Sequence, residues 1–384
     1  MRVGLLTREF PPDVYGGAGV HVDFLARQLR LRLDLTVLCM GAERPDALAF
    51  AEQDSRFPSA NPALHVLSTD IAMAAACDGL DLVHSHTWYA NMAGQLAKLL
   101  LGVPHVVTAH SLEPQRPWKA DQLGGGYRVS SWAERTAYLA ADAVVAVSHG
   151  MAGDIVAAYP EIDPSRVQVI YNGVDAEYYH PDPDTSVVAG LGIDPSRPYV
   201  TFVGRITRQK GVTHLLRAAL DFDPAVQILL LAGAADTAEL KAETDAAIGQ
   251  LQAARDGVVV VSEMLPRESV RQVLTHALAF LCPSVYEPLG IVNLEAMACE
   301  TAVVASAVGG IPEVVVHQET GILVDYTPSE PEAFEAGLAA GVNRLAADPQ
   351  LASLYGAAGR RRAVSTFDWA AIADETVALY RSLT

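Results

Sequence analysis

The sequence predicts an α/β protein built from two doubly wound, Rossmann-like halves. Short, almost continuously apolar runs alternate with Ala- and Leu-rich helical stretches along the chain, and there are about twice as many runs as the six strands of one such sheet. Strands that are apolar on both faces belong to parallel sheets covered by helices on both sides. The length of 384 residues also fits two domains at roughly 150 residues each.

The predicted strands form two series separated by a loop. They are Val3–Thr7, Leu35–Cys39, Leu64–Leu67, Leu82–Ser85, His105–Ala109 and Ala143–Val147, and then Tyr199–Val203, Val226–Leu231, Val258–Val261, Ala279–Cys282, Ala302–Ala305 and Ile322–Val324. The loop begins near residue 172, where an Asn-Gly pair is followed by repeated prolines. We therefore expect an N-terminal domain over residues 1–171 and a C-terminal domain over residues 172–366, followed by an amphipathic helix over residues 367–384.

The charge balance restricts the ligands that this chain can bind. It has 27 Lys+Arg against 45 Asp+Glu and a formal net charge of −18, which argues against nucleic acid and anionic membrane surfaces as partners. The lysines are Lys98, Lys119, Lys210 and Lys241. An anionic ligand must therefore be bound by a few placed cations and by backbone N–H groups.

Cysteine usage and hydropathy predict a soluble cytoplasmic protein. Four widely spaced cysteines without a C-x-x-C pair indicate reduced thiols, not disulfides or a zinc site. The first residues run directly into a predicted strand, so we expect no signal peptide. Apolar runs stay below the roughly 18 residues that a membrane helix needs.

A glycine cluster, Gly16–Gly19, follows the first predicted strand and precedes a helical pattern. Glycines at such a turn let backbone N–H groups approach an anion at the helix N-terminus. The spacing does not match G-x-G-x-x-G, which disfavours a dinucleotide oxidoreductase. A tight turn without a ligand explains the cluster equally well.

Two cations follow the first strand of the second series. Arg205 and Lys210 lie within Gly204–Gly211, at the carboxyl end of a parallel strand, where open α/β sheets bind ligands. A planar guanidinium and a mobile ammonium together suit a diphosphate. A solvated basic turn is the alternative, but the scarcity of lysine in this chain favours a binding role.

The segment Ser284–Ala296 carries two glutamates in a strand-to-helix context. Pro288 disfavours helical geometry at Glu287, which should lie on a loop after the strand. Gly290 should open a helix whose first N–H groups lack intrahelical acceptors, and Glu295 lies about a turn and a half into that helix. A pair of surface glutamates is the alternative; the proline and the glycine favour a phosphate and ribose site.

Histidines cluster at two strand ends of the first series, at His84, His86 and His110. Three histidines can bind a metal, but no carboxylate or cysteine has ligand spacing beside them, and structural packing explains them equally well. The loop after His110 carries cations, aromatic residues and glycines, and long loops of this composition are often functional.

Together these motifs resemble the retaining GT-B glycosyltransferases, in which two Rossmann-like domains face each other across a cleft. The resemblance covers essentially the whole chain and includes Gly309–Glu313 and a C-terminal helix, residues 367–384, that packs back on the first domain. The stretches Leu6–His21 and Ser111–Lys119 are similar to the actinobacterial glycogen synthases regarded as α-maltose-1-phosphate synthases.

The resemblance implies a role for each matching residue. The catalytic residues would be His110, Arg205, Lys210 and Glu287, and the donor-binding residues Gly17, Leu289, Gly290, Ile291 and Glu295. Arg205 and Lys210 would bind the donor diphosphate, Glu287 the transferred glucose and Glu295 the ribose. His110 would contact the sugar from the acceptor side. The family needs no metal or other cofactor, so we interpret two D-x-D strings, Asp182–Asp184 and Asp221–Asp223, as solvated loops.

The resemblance further implies transfer of glucose from a nucleotide sugar, with ADP-glucose preferred over UDP-glucose. If the acceptor is α-glucose 1-phosphate, the product is α-maltose 1-phosphate, and the acceptor-binding candidates are Ser111, Arg116, Lys119 and Arg128. If the acceptor is a glucan chain, as in a glycogen synthase, aromatic platforms are expected at Trp88, Trp118, Tyr127 or Trp132. The cations in this region favour α-glucose 1-phosphate over a glucan chain as the acceptor. Whether the protein forms a homodimer is left open.

Two other classes of protein compete with this interpretation. A non-catalytic two-domain sugar-binding protein would have no use for Arg205 and Lys210 beside the two glutamates. A glycoside hydrolase would need Glu287 and Glu295 to flank one bond, which the helical position of Glu295 disfavours.

Overall fold

The structure, a computed structural model, describes residues 1–14 and 16–384, and the side chains of Asp121 and Gln122 lie outside the description. Tyr15, which belongs to one of the stretches that carry the family resemblance, therefore lies outside the described residues. The chain divides into two compact units. The first unit comprises Met1–Gly173 and Trp369–Thr384, and the second comprises Val174–Asp368.

The secondary structure alternates between strands and helices throughout. The strands are β1 (Arg2–Thr7), β2 (Asp34–Met40), β3 (Leu48–Phe50), β4 (Leu82–His86), β5 (His105–Ala109), β6 (Ala143–Ala146), β7 (Val167–Val169), β8 (Tyr199–Ile206), β9 (Gln227–Ala235), β10 (Val258–Val261), β11 (Ala279–Cys282), β12 (Val303–Ser306) and β13 (Gly321–Val324). The helices are α1 (Gly17–Arg30), α2 (Pro62–Ala75), α3 (Trp88–Leu101), α4 (Lys119–Leu123), α5 (Gly125–Ala140), α6 (His149–Ala158), α7 (Ser186–Gly190), α8 (Val212–Ala218), α9 (Ala238–Ala254), α10 (Arg267–His276), α11 (Ile291–Ala298), α12 (Ile311–Val314), α13 (Pro331–Ala347), α14 (Pro349–Thr366) and α15 (Trp369–Leu383). Short 3₁₀ turns cover Glu113–Gln115, Pro164–Arg166, Arg208–Lys210 and Ala219–Asp221.

The first unit is built on a seven-stranded sheet in the order β3-β2-β1-β4-β5-β6-β7, with every neighbouring pair parallel. The central strands β4 and β5 are buried along their whole length, as expected for a sheet covered on both faces. Helix α15 packs on α1, where Trp369 stacks on Phe24 with ring centroids 5.9 Å apart. Because all strands run the same way, the residues that follow β1, β4 and β5 lie at one edge of the sheet.

The second unit is built on a six-stranded parallel sheet in the order β10-β9-β8-β11-β12-β13. Its core includes Phe202, Leu230 and Leu281 from the strands and Phe334 and Leu338 from α13, all buried. The carboxyl ends of β8, β11 and β12 meet at one edge. This edge therefore receives the loops that carry Lys210, Glu287 and Gly309.

The two parallel sheets confirm the predicted fold class, but one predicted strand is wrong. Leu64–Leu67 lies inside α2, which begins at Pro62 with the Asn61 side chain accepting the Ala63 N–H at 2.9 Å. A short apolar run does not distinguish a strand from one face of a helix, and here the cap and the proline at the first helical position decide it. The prediction also missed β3 and β7, three-residue edge strands whose residues are half-buried or exposed.

Two further features concern the cysteines and the length and apolar character of the helices. All four cysteines are buried and unpaired. Within the described part of the chain, no helix combines the length and the apolar character needed to cross a membrane.

Candidate active site

A charged pair lies at the carboxyl edge of the second unit's sheet. Lys210 ends the 3₁₀ turn after β8, and its Nζ donates to Glu287 Oε2 at 2.6 Å. The same oxygen accepts a hydrogen bond from Ser284 Oγ at 3.1 Å. Glu287 is only 7% exposed. The structure thus brings together two residues that are 77 positions apart in the sequence.

Two glycines permit the close packing of the loops that carry this pair. Gly211 has φ of +62°, and a Cβ there would lie 2.0 Å from the carbonyl oxygen of Pro283. Gly309 has φ of +53°, and its Cβ would lie 2.1 Å from the carbonyl oxygen of Glu287. The next residue, Gly310, donates its N–H to that same carbonyl at 2.9 Å. The Gly309–Glu313 stretch therefore holds the backbone of Glu287 in place.

The electrostatics keep Lys210 charged. Burial acts to lower the pKa of the Lys210 ammonium, but the adjacent Glu287 carboxylate outweighs this effect, and the pKa is raised from its ordinary value. Lys210 is therefore a fixed cation at the edge of the sheet. An ammonium has three donors, so the bond to Glu287 leaves it able to donate to a ligand as well.

Arg205 lies on β8, close to the strand's carboxyl end. Its Nη1 donates to Asp236 Oδ1 at 2.9 Å, and its side chain is partly exposed. Asp236, which follows β9 directly, was not identified from the sequence. A carboxylate at the end of the strand that pairs with β8 is a signal that could have identified it, because parallel neighbours end at the same edge.

The second predicted glutamate lies in α11. Gly290 precedes the helix with φ of +96°, Leu289 is buried and Ile291 is the first helical residue, as the sequence predicted. Burial raises the pKa of Glu295 to about 7, although a hydrogen bond from the Tyr179 hydroxyl acts in the opposite direction. Tyr179 was not identified from the sequence, since nothing in its surroundings there indicates a partner more than a hundred residues away.

In the first unit, four histidines form one cluster. His110 follows β5 directly and is half-buried, and its Nε2 lies 3.0 Å from His86 Nδ1. His84 uses both ring nitrogens, toward the Tyr380 hydroxyl at 2.6 Å and the Thr108 hydroxyl at 2.7 Å. The fourth member is His21 on α1, which the sequence analysis did not single out; its ring centroid lies 4.7 Å from that of His110.

These histidines are held in the neutral form. Burial lowers the pKa of His21 to about 4, against a smaller opposing effect of its hydrogen bond to Asn172. Burial is also the largest cause of the lowered pKa of His84, His86 and His110, and neighbouring histidines add to it. A neutral imidazole at position 110 can donate one hydrogen bond and accept another.

The glycine-rich turn of the first unit folds over a carboxylate. Gly17 is the first residue of α1, and the preceding Gly16 donates its N–H to Glu9 Oε2 at 2.8 Å. A Cβ at Gly19 would lie 2.7 Å from the same oxygen. The glycines therefore have a packing role toward Glu9, a residue that the sequence analysis did not weigh separately.

The predicted acceptor-binding residues follow β5, but they do not form one group of unpaired cations. Ser111 is half-buried, Lys119 begins α4 and Arg128 is exposed on α5. Arg116 donates to the buried Glu113 carboxylate at 2.6 Å. Of the charges considered for an acceptor phosphate, Arg116 is thus already paired with a carboxylate.

The aromatic candidates of that region differ in exposure. Trp88 is buried, and the Tyr127 hydroxyl donates to the carbonyl of Glu113 at 2.7 Å. Trp118 is half-buried, and Trp132 on α5 is 51% exposed. Only Trp132, among these four, presents a largely open ring.

Comparison with known proteins defines the class. The family model described as Glycosyltransferase Family 4 matches residues 15–178, and that described as Glycosyl transferases group 1 matches residues 186–362. A sucrose-phosphate synthase from Thermosynechococcus elongatus has a similar structure, with TM-score 0.84 and 25% identity over 100% of this chain and 98% of that one. The Anabaena protein Alr3699/HepE, solved with UDP and glucose, gives TM-score 0.80 at 22% identity over 100% of both chains. Two parallel Rossmann-like units matched by these models define a glycosyltransferase of the GT-B fold.

Two curated relatives are similar over their full length. The alpha-maltose-1-phosphate synthase of Mycolicibacterium smegmatis is 58% identical over 386 residues, and that of Mycobacterium tuberculosis is 54% identical, each with 100% of both chains covered. This chain belongs to the glycosyltransferase family of the alpha-maltose-1-phosphate synthases. The resemblance inferred from the sequence motifs is thereby confirmed.

Proposed function

We propose that this protein is a retaining α-1,4-glucosyltransferase that moves glucose from ADP-glucose to α-glucose 1-phosphate and yields α-maltose 1-phosphate for α-glucan synthesis. The full-length identity to the two mycobacterial synthases supports this choice of reaction. The structural observation that carries it is the Lys210–Glu287 pair, placed just before the N-terminus of α11. A nucleotide sugar needs this combination of a cation, a sugar-binding carboxylate and backbone N–H groups.

The donor diphosphate is assigned to Arg205, Lys210 and the start of α11. Lys210 and Arg205 each have donors beyond those used in their ion pairs, so they can bind phosphate oxygens without losing these partners. The N–H groups of Leu289, Gly290 and Ile291 would bind further phosphate oxygens, favoured by the helix dipole. Fixed positive charge at this point stabilises the negative charge that develops as the nucleotide leaves.

The sugar and the ribose are assigned to the two glutamates. Glu287 Oε2 accepts hydrogen bonds from Lys210 and Ser284, which orient the carboxylate. Its Oε1 can then accept hydrogen bonds from hydroxyls of the transferred glucose. Glu295 would accept hydrogen bonds from the ribose hydroxyls, and the hydrogen bond from the Tyr179 hydroxyl would keep the Glu295 carboxylate in position. Gly17, at the start of α1, would let the backbone of the first unit approach the substrates closely.

His110 is proposed to hydrogen-bond the transferred glucose from the acceptor side as a neutral imidazole. Retention is explained by front-face attack, in which the acceptor hydroxyl approaches beside the departing phosphate and gives its proton to that phosphate. No side chain acts as a covalent nucleophile in this scheme. The protein's part is to position both substrates and to stabilise the leaving diphosphate.

The acceptor phosphate is assigned to Ser111, Lys119 and Arg128. Arg116 would bind this phosphate while keeping its ion pair with Glu113.

We propose that no metal or other cofactor takes part, because the two cations and the helix N-terminus neutralise the diphosphate. We also propose that the enzyme works in the cytoplasm on small-molecule substrates, without nucleic-acid or membrane partners.

Elongation of α-1,4-glucan chains from ADP-glucose, as in a glycogen synthase, is the second candidate function. The exposed ring of Trp132 favours it, since an open aromatic face is a platform for a sugar chain.

Product analysis decides between the two reactions. The protein is incubated with ADP-glucose or UDP-glucose, together with either α-glucose 1-phosphate or glycogen, and the products are identified by mass. We expect a disaccharide phosphate from ADP-glucose and α-glucose 1-phosphate. Efficient glucan elongation without any disaccharide phosphate would contradict the proposal, and a preference for UDP-glucose would correct the donor.

A further inference from the structure

Three histidines of the first unit, His21, His86 and His110, each place a ring nitrogen within 4.8 Å of the other two. They come from α1, the end of β4 and the residue after β5, so the fold of the sheet brings them together. The proposed transfer reaction uses only His110. The other two have no role in that reaction.

His21 has the hydrogen bond that a metal-binding histidine requires. Its Nδ1 lies 2.6 Å from Asn172 Oδ1, which can only accept, so Nδ1 carries the proton and Nε2 carries a lone pair. This Nε2 is buried and has no hydrogen-bond partner among the described residues. Histidines that bind metals commonly donate their other ring N–H to an oxygen in this way, which fixes the tautomer and the ring.

His86 and His110 are separated by a distance that a metal ion can bridge. Their facing nitrogens lie 3.0 Å apart, and two nitrogens bound to a tetrahedral zinc ion lie about 3.3 Å apart. A metal can therefore replace the proton that the two rings share with little ring movement. In this arrangement His86 binds through Nδ1, and its buried Nε2 carries the ring proton.

The ring positions agree with this geometry. The centroid separations are 5.3 Å for His21–His86, 4.7 Å for His21–His110 and 5.3 Å for His86–His110. Imidazoles bound to one tetrahedral zinc ion at the usual zinc–nitrogen distance have centroids about 5.2 Å apart. Two of the three separations already match, and His21 needs only a small outward shift relative to His110.

The fourth histidine of the cluster is excluded as a ligand. The His84 ring centroid lies 4.3 Å from that of His86, but both of its nitrogens bind hydroxyl groups. His110 is half-buried, and it provides the side from which an ion can enter.

We infer that His21, His86 and His110 form a binding site for one Zn²⁺ ion, with a fourth position left for water. Imidazole ligands suit zinc, and three histidines with a water in the fourth position are an established zinc coordination. Zinc bound here would hold the ring of His110. Resting on the proposed function, we therefore expect zinc to inhibit glucose transfer.

The test uses the full-length protein freed of metal by a chelator and titrated with Co²⁺ in place of zinc. We expect visible absorption bands of a four-coordinate cobalt site that saturate at one ion per chain and disappear when Zn²⁺ is added. The His21→Gln and His86→Gln variants should bind Co²⁺ at least tenfold more weakly. The matched control is His276→Gln, in α10 of the second unit, which should bind like the unchanged protein.

Circular dichroism melting shows whether each variant folds. X-ray absorption of the zinc-loaded unchanged protein adds a result that needs no variant, with three imidazole nitrogens expected at about 2.0 Å from the ion. The inference is overturned if no four-coordinate bands form, if folded His21→Gln and His86→Gln variants keep them, or if the zinc shell lacks three imidazoles. These readouts are independent of transfer activity, so failure of the proposed reaction is detected separately.

Discussion

At the residue scale, Lys210 combines two tasks in the proposed reaction. It orients Glu287 through a 2.6 Å hydrogen bond, and its remaining donors are assigned to the diphosphate. The raised pKa of this ammonium keeps it charged at neutral pH.

Replacing Lys210 by alanine removes a cation that stabilises the leaving diphosphate. We expect kcat to fall by roughly 10²–10³, the usual effect of losing one preorganised donor to a developing anion. Steady-state kinetics with ADP-glucose measure this. Lys241→Ala is the matched control, because Lys241 is an exposed lysine paired with Asp245 on α9, and it should turn over normally. Normal turnover by the Lys210 variant would refute the donor site.

Tyr179 is expected to position Glu295 for the ribose. In a Tyr179→Phe variant the hydrogen bond to Glu295 is lost at a cost of about 1 kcal/mol, so KM for ADP-glucose should rise about fivefold while kcat changes less. The neighbouring Tyr178→Phe variant controls for loss of a tyrosine hydroxyl, since the Tyr178 hydroxyl makes a long, exposed contact of 3.4 Å to Glu268. An equal rise of KM in both variants would argue against the assignment.

Glu134 makes the stability of the first unit depend on pH. Burial raises the pKa of this carboxyl to about 8, so the folded state keeps a proton that the unfolded state releases near its ordinary value of 4.5. Its contribution to the free energy of unfolding should therefore fall as pH rises from about 4.5 to about 8, by a few kcal/mol. Glu134→Gln keeps the oxygen that accepts from Glu113 N–H and Tyr159, so the stability of this variant relative to the unchanged protein, measured by thermal melting, should rise by that amount across the same pH range. Equal slopes of stability against pH in the variant and in the unchanged protein would contradict this role of Glu134.

At the element scale, the donor half of the site depends on how closely three loops of the second sheet approach one another. The loops after β8, β11 and β12 are tied by the Gln209 and Glu287 carbonyls, which accept the N–H groups of Val285 and Gly310 at 2.9 Å each. Glycine at position 309 is what permits the last of these contacts.

A Gly309→Ala substitution should therefore act on activity through the backbone of Glu287. Its Cβ would lie 2.1 Å from the Glu287 carbonyl oxygen, and its φ of +53° is unfavourable for alanine. We expect at least a tenfold loss of kcat/KM and a loss of stability of the order of 1–3 kcal/mol. Gly249→Ala on α9 meets no atom within 4 Å and should keep full activity. Unchanged activity of the Gly309 variant would show that this contact does not position Glu287.

The same elements show why some features were predictable. Apolar runs with strand character, the turn at Gly290 and the proline after Glu287 are local signals, and all of them except the run Leu64–Leu67 gave a correct element or boundary. Ser284 and Tyr179 contact the predicted residues through the fold, and no local pattern in the sequence marks these contacts. Asp236 could have been identified from its place at the end of the strand that pairs with β8. The error at Leu64–Leu67 also shows the limit of local patterns, because a four-residue apolar run is compatible with both a strand and a helix.

At the scale of the whole molecule, the two parallel sheets, the family matches and the acidic charge are mutually consistent. A net charge of −18 leaves little positive charge for binding anions in general, and two of the placed cations, Arg205 and Lys210, lie at the carboxyl edge of the second sheet. The assembly of four histidines in the first unit was only partly foreseen, because His21 is contributed by a helix far from the strand ends that carry the others.

The most direct measurement supplies ¹³C-labelled ADP-glucose with α-glucose 1-phosphate and glycogen in one mixture and follows the label by NMR. We predict that the label appears mainly in α-maltose 1-phosphate, with the α configuration at the new bond, and that Lys210→Ala forms this product at least about a hundredfold more slowly. Label found only in glycogen, or a β linkage in the disaccharide phosphate, would contradict the central claim.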